Sequence, residues 1–437
     1  MHFSYYVIVL YEKGRGVHRV NSFVIKGGNK IEGEIEVQGA KNAVLPILAA
    51  TVLNGGKNII YNCPSLRDVK ITIEVLKNLG CSVEKKGNTL VVDSGNITDN
   101  TIPDDLMRQM RSSIIFLGAI IARCRNAVVS MPGGCEIGNR PIDLHLKALR
   151  QLGVEIVESH GYINCKADKL KGDNIHLDFP SVGATENIML AACMAEGVTI
   201  VTNAAREPEI VDLEAFLNRM GARISGGGSS VIRIEGVKRL YGVEHEIIPD
   251  RIVAATYLSS AAATRGSIVL KRVNPGHMNA MTAVLKEMGC KVYTEKSRII
   301  LSSPNNRLKA VKRIVTMPYP GFPTDIQSPF MALTALAEGT GVFVENIFEN
   351  RFQHVEELMR MGADIKVDGR IAVVQGVESL SGATVRAKEL RGGAALVVAA
   401  LAADGVTTVE DVRYIDRGYE SIEKYLSACG AKIQREE

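Results

Sequence analysis

The amino-acid sequence predicts an α/β fold built from six copies of one βα unit, with three copies in each of two domains. Each copy carries a Leu, a Gly four residues later and a Val or Ile three residues after that Gly. Successive glycines lie 68 or 73 residues apart, which is longer than the repeats of about 20 to 50 residues in common solenoids. The six glycines are Gly80, Gly153, Gly221, Gly289, Gly362 and Gly430.

Each unit opens with an apolar, Ala-rich stretch of helical length, as in residues 43–53 and 188–195. These stretches have no polar face, which predicts helices that are buried on every side. A short β-branched run follows each stretch and is predicted to be a strand. The six runs are residues 58–61, 127–130, 198–201, 267–270, 341–344 and 407–409.

An amphipathic helix comes next, and it is clearest where Val69, Ile73, Leu76 and Leu79 recur at helical spacing. The recurring Gly follows this helix, at the position where a left-handed cap is favoured. Two more strands are expected to close each unit, and Gly226-Gly227-Gly228 reads as a hairpin turn between two of them.

The sixth unit stops after one closing strand, at residues 431–434, so a chain that starts with residues 23–26 can supply the missing partner. Because six such units exceed what one hydrophobic core holds, we expect two domains. The boundaries are predicted at 41–248 for the second domain and at 1–40 plus 249–437 for a discontinuous catalytic domain. Residues 1–20 lie outside the repeats and are expected to form a loose extension.

Composition excludes several functions. The net charge is +4, from 52 basic and 48 acidic residues that are scattered along the chain, which argues against nucleic-acid binding. No run of 18 apolar residues predicts a membrane span. The eight cysteines lack metal-type spacing and point to a reduced cytoplasm. Neither a P-loop nor a His-Glu-x-x-His motif is present, so no metal or organic cofactor is expected.

Cys135 differs from the other cysteines because it stands in a loop rich in Gly and Pro, at residues 132–141. Arg123, Arg125 and Arg140 are near it in sequence, and nearby positive charge lowers the pKa of a thiol. A reactive thiol and an incidental loop cysteine both remain open from these residues alone.

Charged or hydroxyl residues stand at the starts of the apolar helices and in the loops before the amphipathic helices. If the buried helices are parallel, these positions converge on one end of each domain, where helix N-termini and cations favour anions. A phosphorylated ligand is therefore expected, although any single residue can instead be a cap or a surface ion pair. Asp325 is a candidate general base, with an N-cap as its alternative. The positions are Lys41, Arg111, Ser181, Asp325 and Arg391 at helix starts, and Arg67, Arg140, Arg206, Arg351 and Arg417 in loops.

Longer motifs resemble one family. They are Lys41-Asn42, Arg111, the Gly-Gly-Cys135 loop, residues 140–145 (Arg-Pro-Ile-Asp-Leu-His), 205–209 (Ala-Arg-Glu-Pro-Glu), 322–325 (Phe-Pro-Thr-Asp), 349–352 (Glu-Asn-Arg-Phe) and 416–420 (Asp-Arg-Gly-Tyr-Glu). Over about residues 22–434 the chain resembles the UDP-N-acetylglucosamine 1-carboxyvinyltransferases of the enolpyruvyl transferase family. Arg67 stands where that family often has Lys, and Glu389 where it often has Asp.

The resemblance implies a fold of two inside-out α/β barrels with a cleft between them. It implies that phosphoenolpyruvate is contacted by Lys41, Arg140 and Arg417, with Arg351 and Arg391 closing the second half. It assigns the uridine and diphosphate to Arg140, Pro141, Ile142, Asp143, Leu144, Ser181 and Val182. It assigns the sugar to Asn42, Asp325 and the backbone of Ile347, and it gives Arg111 as a further contact to the nucleotide sugar.

The reaction that the resemblance implies is transfer of an enolpyruvyl group to the 3′-hydroxyl of UDP-N-acetylglucosamine, with release of phosphate, as the first committed step of peptidoglycan biosynthesis. Cys135 would act as the proton donor on a lid and Asp325 as the base, with Lys41 and Arg417 completing the catalytic set. A 3-phosphoshikimate 1-carboxyvinyltransferase and a non-catalytic UDP-sugar-binding paralogue are the alternatives. The sequence leaves homo-oligomerisation open.

Overall fold

The computed structural model describes residues 21–131 and 142–436, and these ranges contain 24 strands and 13 α-helices. Three short 3-10 helices, Arg111–Ile115, Pro275–Met278 and Val412–Arg417, complete the regular structure of the described ranges.

The strands in chain order are β1 (Ser22–Lys26), β2 (Glu32–Glu36), β3 (Lys57–Tyr61), β4 (Ser82–Lys86), β5 (Thr89–Asp93), β6 (Thr101–Ile102), β7 (Asn126–Ser130), β8 (Glu155–Ser159), β9 (Tyr162–Lys166), β10 (Asn174–His176), β11 (Val198–Thr202), β12 (Arg223–Ser225), β13 (Val231–Glu235), β14 (Glu244–Glu246), β15 (Ser267–Lys271), β16 (Lys291–Glu295), β17 (Arg298–Ser302), β18 (Arg313–Val315), β19 (Thr340–Val344), β20 (Asp364–Asp368), β21 (Ile371–Gln375), β22 (Thr384–Arg386), β23 (Val406–Glu410) and β24 (Lys432–Glu436).

The α-helices in chain order are α1 (Lys41–Ala50), α2 (Arg67–Asn78), α3 (Asp104–Gln109), α4 (Phe116–Cys124), α5 (Asp143–Gln151), α6 (Val182–Ala192), α7 (Pro208–Arg219), α8 (Arg251–Ala263), α9 (Asn279–Glu287), α10 (Thr324–Ala335), α11 (Val355–Arg360), α12 (Leu390–Ala402) and α13 (Ile422–Ala428).

The described strands form six four-stranded sheets that share one plan. In each sheet an edge strand pairs parallel with the first long strand of the unit, and two antiparallel strands follow. The predicted sixfold α/β repeat is thereby confirmed. In the part of the chain described, the strands form six separate sheets and not one closed barrel. The sheet orders are β14-β3-β5-β4, β6-β7-β9-β8, β10-β11-β13-β12, β2-β15-β17-β16, β18-β19-β21-β20 and β22-β23-β1-β24.

Strand β1 completes the sixth sheet, as predicted from the truncated last unit. It pairs antiparallel with β23 on one side and with β24 on the other, so that Ile25 lies opposite both Thr407 and Ile433. The first and last described strands are therefore neighbours in one sheet.

The parallel edge strands were not predicted, and two of them connect the halves of the chain. Strand β2 precedes the first unit but pairs with β15 of the fourth unit. Strand β14 precedes the fourth unit but pairs with β3 of the first. The two connecting segments meet at a β-bridge between Gly39 and Pro249, so the chain passes between its halves twice at one place.

Six helices, α1, α4, α6, α8, α10 and α12, are rich in apolar residues, have no continuous polar face and are almost entirely buried. Helices α8, α10 and α12 pack on one another, and α4 packs on α1 and α6. The sheets lie outside these helices, as the absence of a polar face predicts. Within the described ranges, no helix is long and apolar enough to cross a membrane.

The repeat glycines end the amphipathic helices in the left-handed backbone region. Their φ angles lie between 91° at Gly153 and 106° at Gly289, a range that favours glycine because it has no Cβ. The capping role that the sequence predicts is confirmed at all six positions.

Buried apolar side chains form two separate hydrophobic cores. One core runs from Ala40 to Ile247, and the other combines residues 23–37 with residues 252–433. On this basis we propose two domains. One consists of residues 41–248 and is called here the first half, and the other consists of the remaining residues and is called the second half.

Candidate functional site

The site begins where the first buried helix of each half starts. Asp250 is 3% exposed and caps α8, because its Oδ1 accepts hydrogen bonds from the backbone N–H groups of Ile252 and Val253 at 2.9 and 3.0 Å. Its Oδ2 accepts a hydrogen bond at 3.1 Å from the backbone N–H of Lys41, the first residue of α1. One carboxylate therefore joins the N-termini of α1 and α8 across the two halves.

The side chain of Lys41 contacts a buried carboxylate that also binds an arginine from the other half. Lys41 Nζ lies 2.7 Å from Asp68 Oδ2, and Asp68 has no exposed side-chain surface. Arg417, in the 3-10 helix after β23, donates from Nε and Nη2 to the two oxygens of Asp68 at 3.0 and 3.2 Å. This arrangement places a lysine and a bidentate arginine, one from each half, on a single carboxylate.

Burial and charge act in opposite directions on this group. Burial raises the pKa of Asp68, but Lys41 and Arg417 outweigh burial, so the pKa of Asp68 is lowered and the carboxylate is ionised. Burial also lowers the pKa of Lys41, and the charges of Arg417 and Arg391 lower it further while Asp68 opposes them. The protonated state of Lys41 therefore depends on its carboxylate partner.

Asp325 binds two arginines of the second half. It lies in the first turn of α10, and its two oxygens accept hydrogen bonds from Arg351 Nη2 at 3.0 Å and from Arg391 Nη2 at 3.1 Å. The side chain of Asp325 is 26% exposed, whereas both arginines are 2% exposed. Arg351 Nη1 also lies 3.6 Å from Glu389, the N-cap of α12. Two buried cations thus fix a carboxylate that reaches the surface.

The buried arginines retain hydrogen-bonding capacity. Arg391 Nε and Nη1, and Arg351 Nε, have no hydrogen-bond partner among the described residues. The Arg391 guanidinium lies 5.6 Å from the centre of the Tyr419 ring. Burial lowers the pKa of Arg391, but Asp325 and other acidic neighbours outweigh it and raise that pKa overall. Permanently charged donors without partners favour an anionic ligand.

We call Lys41, Asp68, Asp250, Asp325, Arg351, Arg391 and Arg417 the junction cluster. Arg391 links its parts, because its charge acts on both Lys41 and Asp250 while its side chain binds Asp325. The predicted convergence of helix starts is therefore observed for α10 and α12 in the second half, and the starts of α1 and α8, joined by Asp250, belong to the same cluster.

A second group of predicted residues lies at helix starts of the first half. The charge of Arg111 helps to lower the pKa of His145 in α5 to about 4, although burial is the larger cause. A Cβ on Gly183, in the first turn of α6, would approach His145 to 3.0 Å. Ser181 Oγ caps α6 by accepting a hydrogen bond at 3.3 Å from the backbone N–H of Ala184. Arg111, the start of α5 and the start of α6 are thus neighbours.

The structure places the other predicted substrate contacts at or next to the starts of helices, apart from Ile347, which follows β19. Asn42 is the second residue of α1 and is half-buried, and Val182 is the first residue of α6. Ile142 precedes α5, while Asp143 and Leu144 begin it. The last predicted contact, Ile347, donates its backbone N–H to Glu345 Oε1 at 2.8 Å.

Three predicted site residues, Cys135, Arg140 and Pro141, lie outside the described residues, as does the extension at 1–20. The other cysteines are free, and six of the seven are buried. Burial raises the pKa of Cys63, Cys165 and Cys193 to about 12, so these thiols stay protonated. Such burial suits a cysteine that packs as a small hydrophobic side chain.

The sequence analysis missed Asp68 and Asp250. A signal for Asp68 exists, because it shares the inward face of α2 with Thr72 and Val75 at helical spacing and is an acidic residue in an apolar register. No comparable pattern marks Asp250, which caps α8 from the segment that connects the halves.

A further contact between the halves involves the predicted motif at residues 205–209. Arg251 donates from Nε and Nη2 to the two oxygens of Glu209 at 3.0 and 3.3 Å, and both side chains are buried. Glu207 accepts a hydrogen bond at 3.3 Å from the backbone N–H of Tyr319, whose ring lies 5.5 Å from the Arg251 guanidinium. This motif therefore connects α7 to the second half.

Comparison with known proteins agrees with this architecture. A family model described as EPSP synthase (3-phosphoshikimate 1-carboxyvinyltransferase) matches residues 25–426. The chain is 56% identical over 416 residues to UDP-N-acetylglucosamine 1-carboxyvinyltransferase 2 of Caldanaerobacter subterraneus subsp. tengcongensis, covering 95% of this chain and 100% of the relative. It is 52% identical to UDP-N-acetylglucosamine 1-carboxyvinyltransferase 1 of Symbiobacterium thermophilum, covering 94% and 95% of the two chains.

Solved structures show the same fold. The enolpyruvyl transferase NikO from Streptomyces tendae superposes with a TM-score of 0.85 at 24% identity, covering 95% of this chain and 99% of its own. EPSP synthase from Acinetobacter baumannii superposes with a TM-score of 0.75 at 20% identity, covering 95% and 100%. The fold is that of the enolpyruvyl transferases. By its curated relatives the chain belongs, within that class, to the UDP-N-acetylglucosamine 1-carboxyvinyltransferase family.

Proposed function

We propose that this protein transfers the enolpyruvyl group of phosphoenolpyruvate to the 3′-hydroxyl of UDP-N-acetylglucosamine and releases phosphate. The names of relatives at 50 to 56% identity support the activity. The observation that carries it is the junction cluster, in which Lys41 and Arg417, one from each half, share Asp68 while Arg391 binds Asp325. This arrangement suits a substrate that carries both a phosphate and a carboxylate.

The proposed binding site for phosphoenolpyruvate uses Lys41, Arg391 and Arg417 together with Arg140. Arg391 supplies buried donors that have no hydrogen-bond partner among the described residues, and such donors gain a charge-assisted hydrogen bond from an anion. Lys41 and the helix N-terminus on which it stands add positive potential at the same place. Charge that develops on the departing phosphate is stabilised by these groups.

The proposed chemistry is addition followed by elimination. The sugar hydroxyl attacks C2 of the enol, Asp325 accepts the hydroxyl proton, and Cys135 donates a proton to C3. Loss of phosphate from C2 and of a proton from C3 then restores the double bond as an enol ether. The ion pairs to Arg351 and Arg391 hold both oxygens of Asp325 in place, which suits a positioned base.

The proposed site for the sugar nucleotide uses the second group. Arg111, the start of α5 and the start of α6 are neighbours in the first half, and helix N-termini there favour a diphosphate. Asn42 and the backbone of Ile347 are assigned to the sugar. A cytoplasmic location is proposed with this function, because the seven described cysteines are all free.

A second candidate is transfer to shikimate 3-phosphate, which the description of the matching family model favours. Phosphate release from phosphoenolpyruvate, measured with each acceptor in turn, separates the two. We expect release with UDP-N-acetylglucosamine and none above background with shikimate 3-phosphate. The reverse result would contradict the proposal, and binding of the sugar nucleotide without any release would favour a non-catalytic paralogue.

A further inference from the structure

Two of the cations assigned to phosphoenolpyruvate, Lys41 and Arg417, share a protein carboxylate that no substrate role explains. Asp68 has no exposed side-chain surface, so water cannot solvate it and only its partners stabilise its charge. Those partners are Lys41 at 2.7 Å and Arg417 at 3.0 and 3.2 Å. They belong to different halves of the chain, and this one side chain contacts both of them.

We propose that Asp68 is a positioning residue for the transfer reaction, whose buried carboxylate holds Lys41 of the first half and Arg417 of the second half together as one anion-binding pair. This inference rests on the proposed function for the identity of the anion. Its geometric basis is the lysine contact and the bidentate arginine contact on the same carboxylate.

Two consequences follow from the charges around Lys41. The groups that face it are Asp68 on α2, Asp250 at the cap of α8, Arg391 on α12 and Arg417 on the 3-10 helix. Asp68 is the acidic group that contacts the ammonium directly. Without its charge, burial and two arginines would lower the pKa of Lys41 further. Without two carboxylate oxygens at this position, Arg417 would lose its bidentate contact.

The test compares Asp68→Asn with a matched control, Asp212→Asn. Asp212 is also buried and accepts hydrogen bonds within the fold, from the His245 ring at 2.9 Å and the Ile248 backbone at 3.3 Å, but it contacts no member of the junction cluster in the described structure. For Asp68→Asn we expect KM for phosphoenolpyruvate to rise about tenfold or more. KM for the sugar nucleotide should stay within about twofold, and the control should keep both within about twofold.

The pH profile of kcat/KM for phosphoenolpyruvate distinguishes a change in the pKa of Lys41 from a loss of stability, because a loss of stability alone does not shift the profile along the pH axis. We expect its alkaline limb to shift to lower pH in Asp68→Asn, because Lys41 loses its proton more easily. Asp68→Glu retains the charge, so its alkaline limb should stay at the wild-type position. This variant replaces Asp68→Asn in the test if Asp68→Asn does not fold, because its longer side chain should still raise KM for phosphoenolpyruvate. Unchanged KM and an unshifted limb would overturn the proposal, as would equal rises in KM for both substrates.

Titration calorimetry with phosphoenolpyruvate alone separates this inference from the proposed function. We expect weaker binding to Asp68→Asn than to the wild type and to Asp212→Asn. If the wild type binds phosphoenolpyruvate in this way but releases no phosphate with UDP-N-acetylglucosamine, the proposed function fails while the role of Asp68 stands. Equal binding by all three proteins would overturn the role of Asp68.

Discussion

Asp325 is the residue whose position the structure explains most fully. Arg351 and Arg391 are nearly inaccessible to water and bind its two oxygens, yet the carboxylate itself reaches the surface. A charge that is fixed on one side and accessible on the other can accept a proton from a substrate. The sequence does not reveal this combination of burial and access, because an Asp at the start of a helix is equally consistent with a helix cap and with a general base.

For Asp325→Asn we expect kcat to fall by about 10² to 10⁴, because the amide cannot accept the hydroxyl proton. Asn is nearly isosteric with Asp, so the affinity for both substrates should change far less than kcat. Steady-state phosphate release with calorimetric titration of each substrate measures the two effects separately. Wild-type turnover in this variant would remove the base role.

The prediction for Cys135 comes from sequence, because this residue lies outside the described residues. If its role is to donate a proton, Cys135→Asp should keep measurable turnover, since a carboxylic acid can also donate one. Cys135→Ala has no proton to donate and should lose turnover. Phosphate release by the two variants decides the matter, and equal loss in both would count against proton donation.

Among single residues, sequence patterns predicted the positions at helix starts but not their partners. Lys41, Asp325 and Arg391 stand at predicted starts of apolar helices, and the structure places them there. Asp68 and Asp250 are partners across long sequence separations, and no local pattern links them to the residues that they bind. Periodicity describes one element at a time and does not identify such contacts.

At the scale of elements, two of the glycines with a positive φ allow the cost of a left-handed backbone to be separated from the cost of a steric clash. Gly362 has a φ of +96°, and a Cβ there would meet no atom within 4 Å. Gly80 has a similar φ of +99°, but a Cβ there would approach Asn96 O and the Thr98 side chain to 2.6 and 2.7 Å. The first position is constrained by backbone conformation alone, and the second also by packing.

Gly362→Ala should therefore lower the free energy of unfolding by about 1 to 2 kcal/mol, the cost of a left-handed conformation for a residue with a Cβ. Gly80→Ala should lower it by more, because the Asn96 backbone must also shift. Denaturant unfolding of both variants provides the comparison. Equal losses would show that the contact near Gly80 carries no cost.

Five of the six edge strands that sequence analysis missed are very short, whereas β2 has five residues. Four of the six parallel edge strands have three residues and β6 has two, which is too few for an alternating pattern to register. The first long strand of each unit was predicted within about one residue of its observed bounds, whereas composition located the buried helices without fixing their ends. Pairing partners, such as β2 with β15, depend on tertiary structure and have no local signature.

At the scale of the whole molecule, ionisable groups accumulate where the two halves meet. Glu186, in α6, is 2% exposed, and its pKa is raised well above its usual value by burial and by the charges of Glu209 and Glu207. In the unfolded chain the same carboxyl has an ordinary pKa. The native state therefore binds a proton that the unfolded state releases, and stability contributed by this group rises as pH falls between the raised native pKa and the unfolded pKa.

Glu186→Gln replaces the carboxyl with a neutral group of the same shape. We expect the variant to be more stable than the wild type at pH 8, with the difference shrinking as pH falls toward 5, because the wild type then gains its proton. Thermal unfolding midpoints of both proteins across this range measure the effect. A difference that is independent of pH would contradict the assigned origin.

The central claim is that the enolpyruvyl group of phosphoenolpyruvate moves to a sugar hydroxyl by addition followed by elimination. The most direct measurement uses phosphoenolpyruvate with isotopically heavy oxygen at the bridge between carbon and phosphorus, with UDP-N-acetylglucosamine as acceptor. Addition and elimination break the bond between carbon and the bridging oxygen, so the account predicts the label in released phosphate and an unlabelled enol ether on the sugar nucleotide. Phosphate without the label, or a phosphorylated sugar nucleotide, would contradict it.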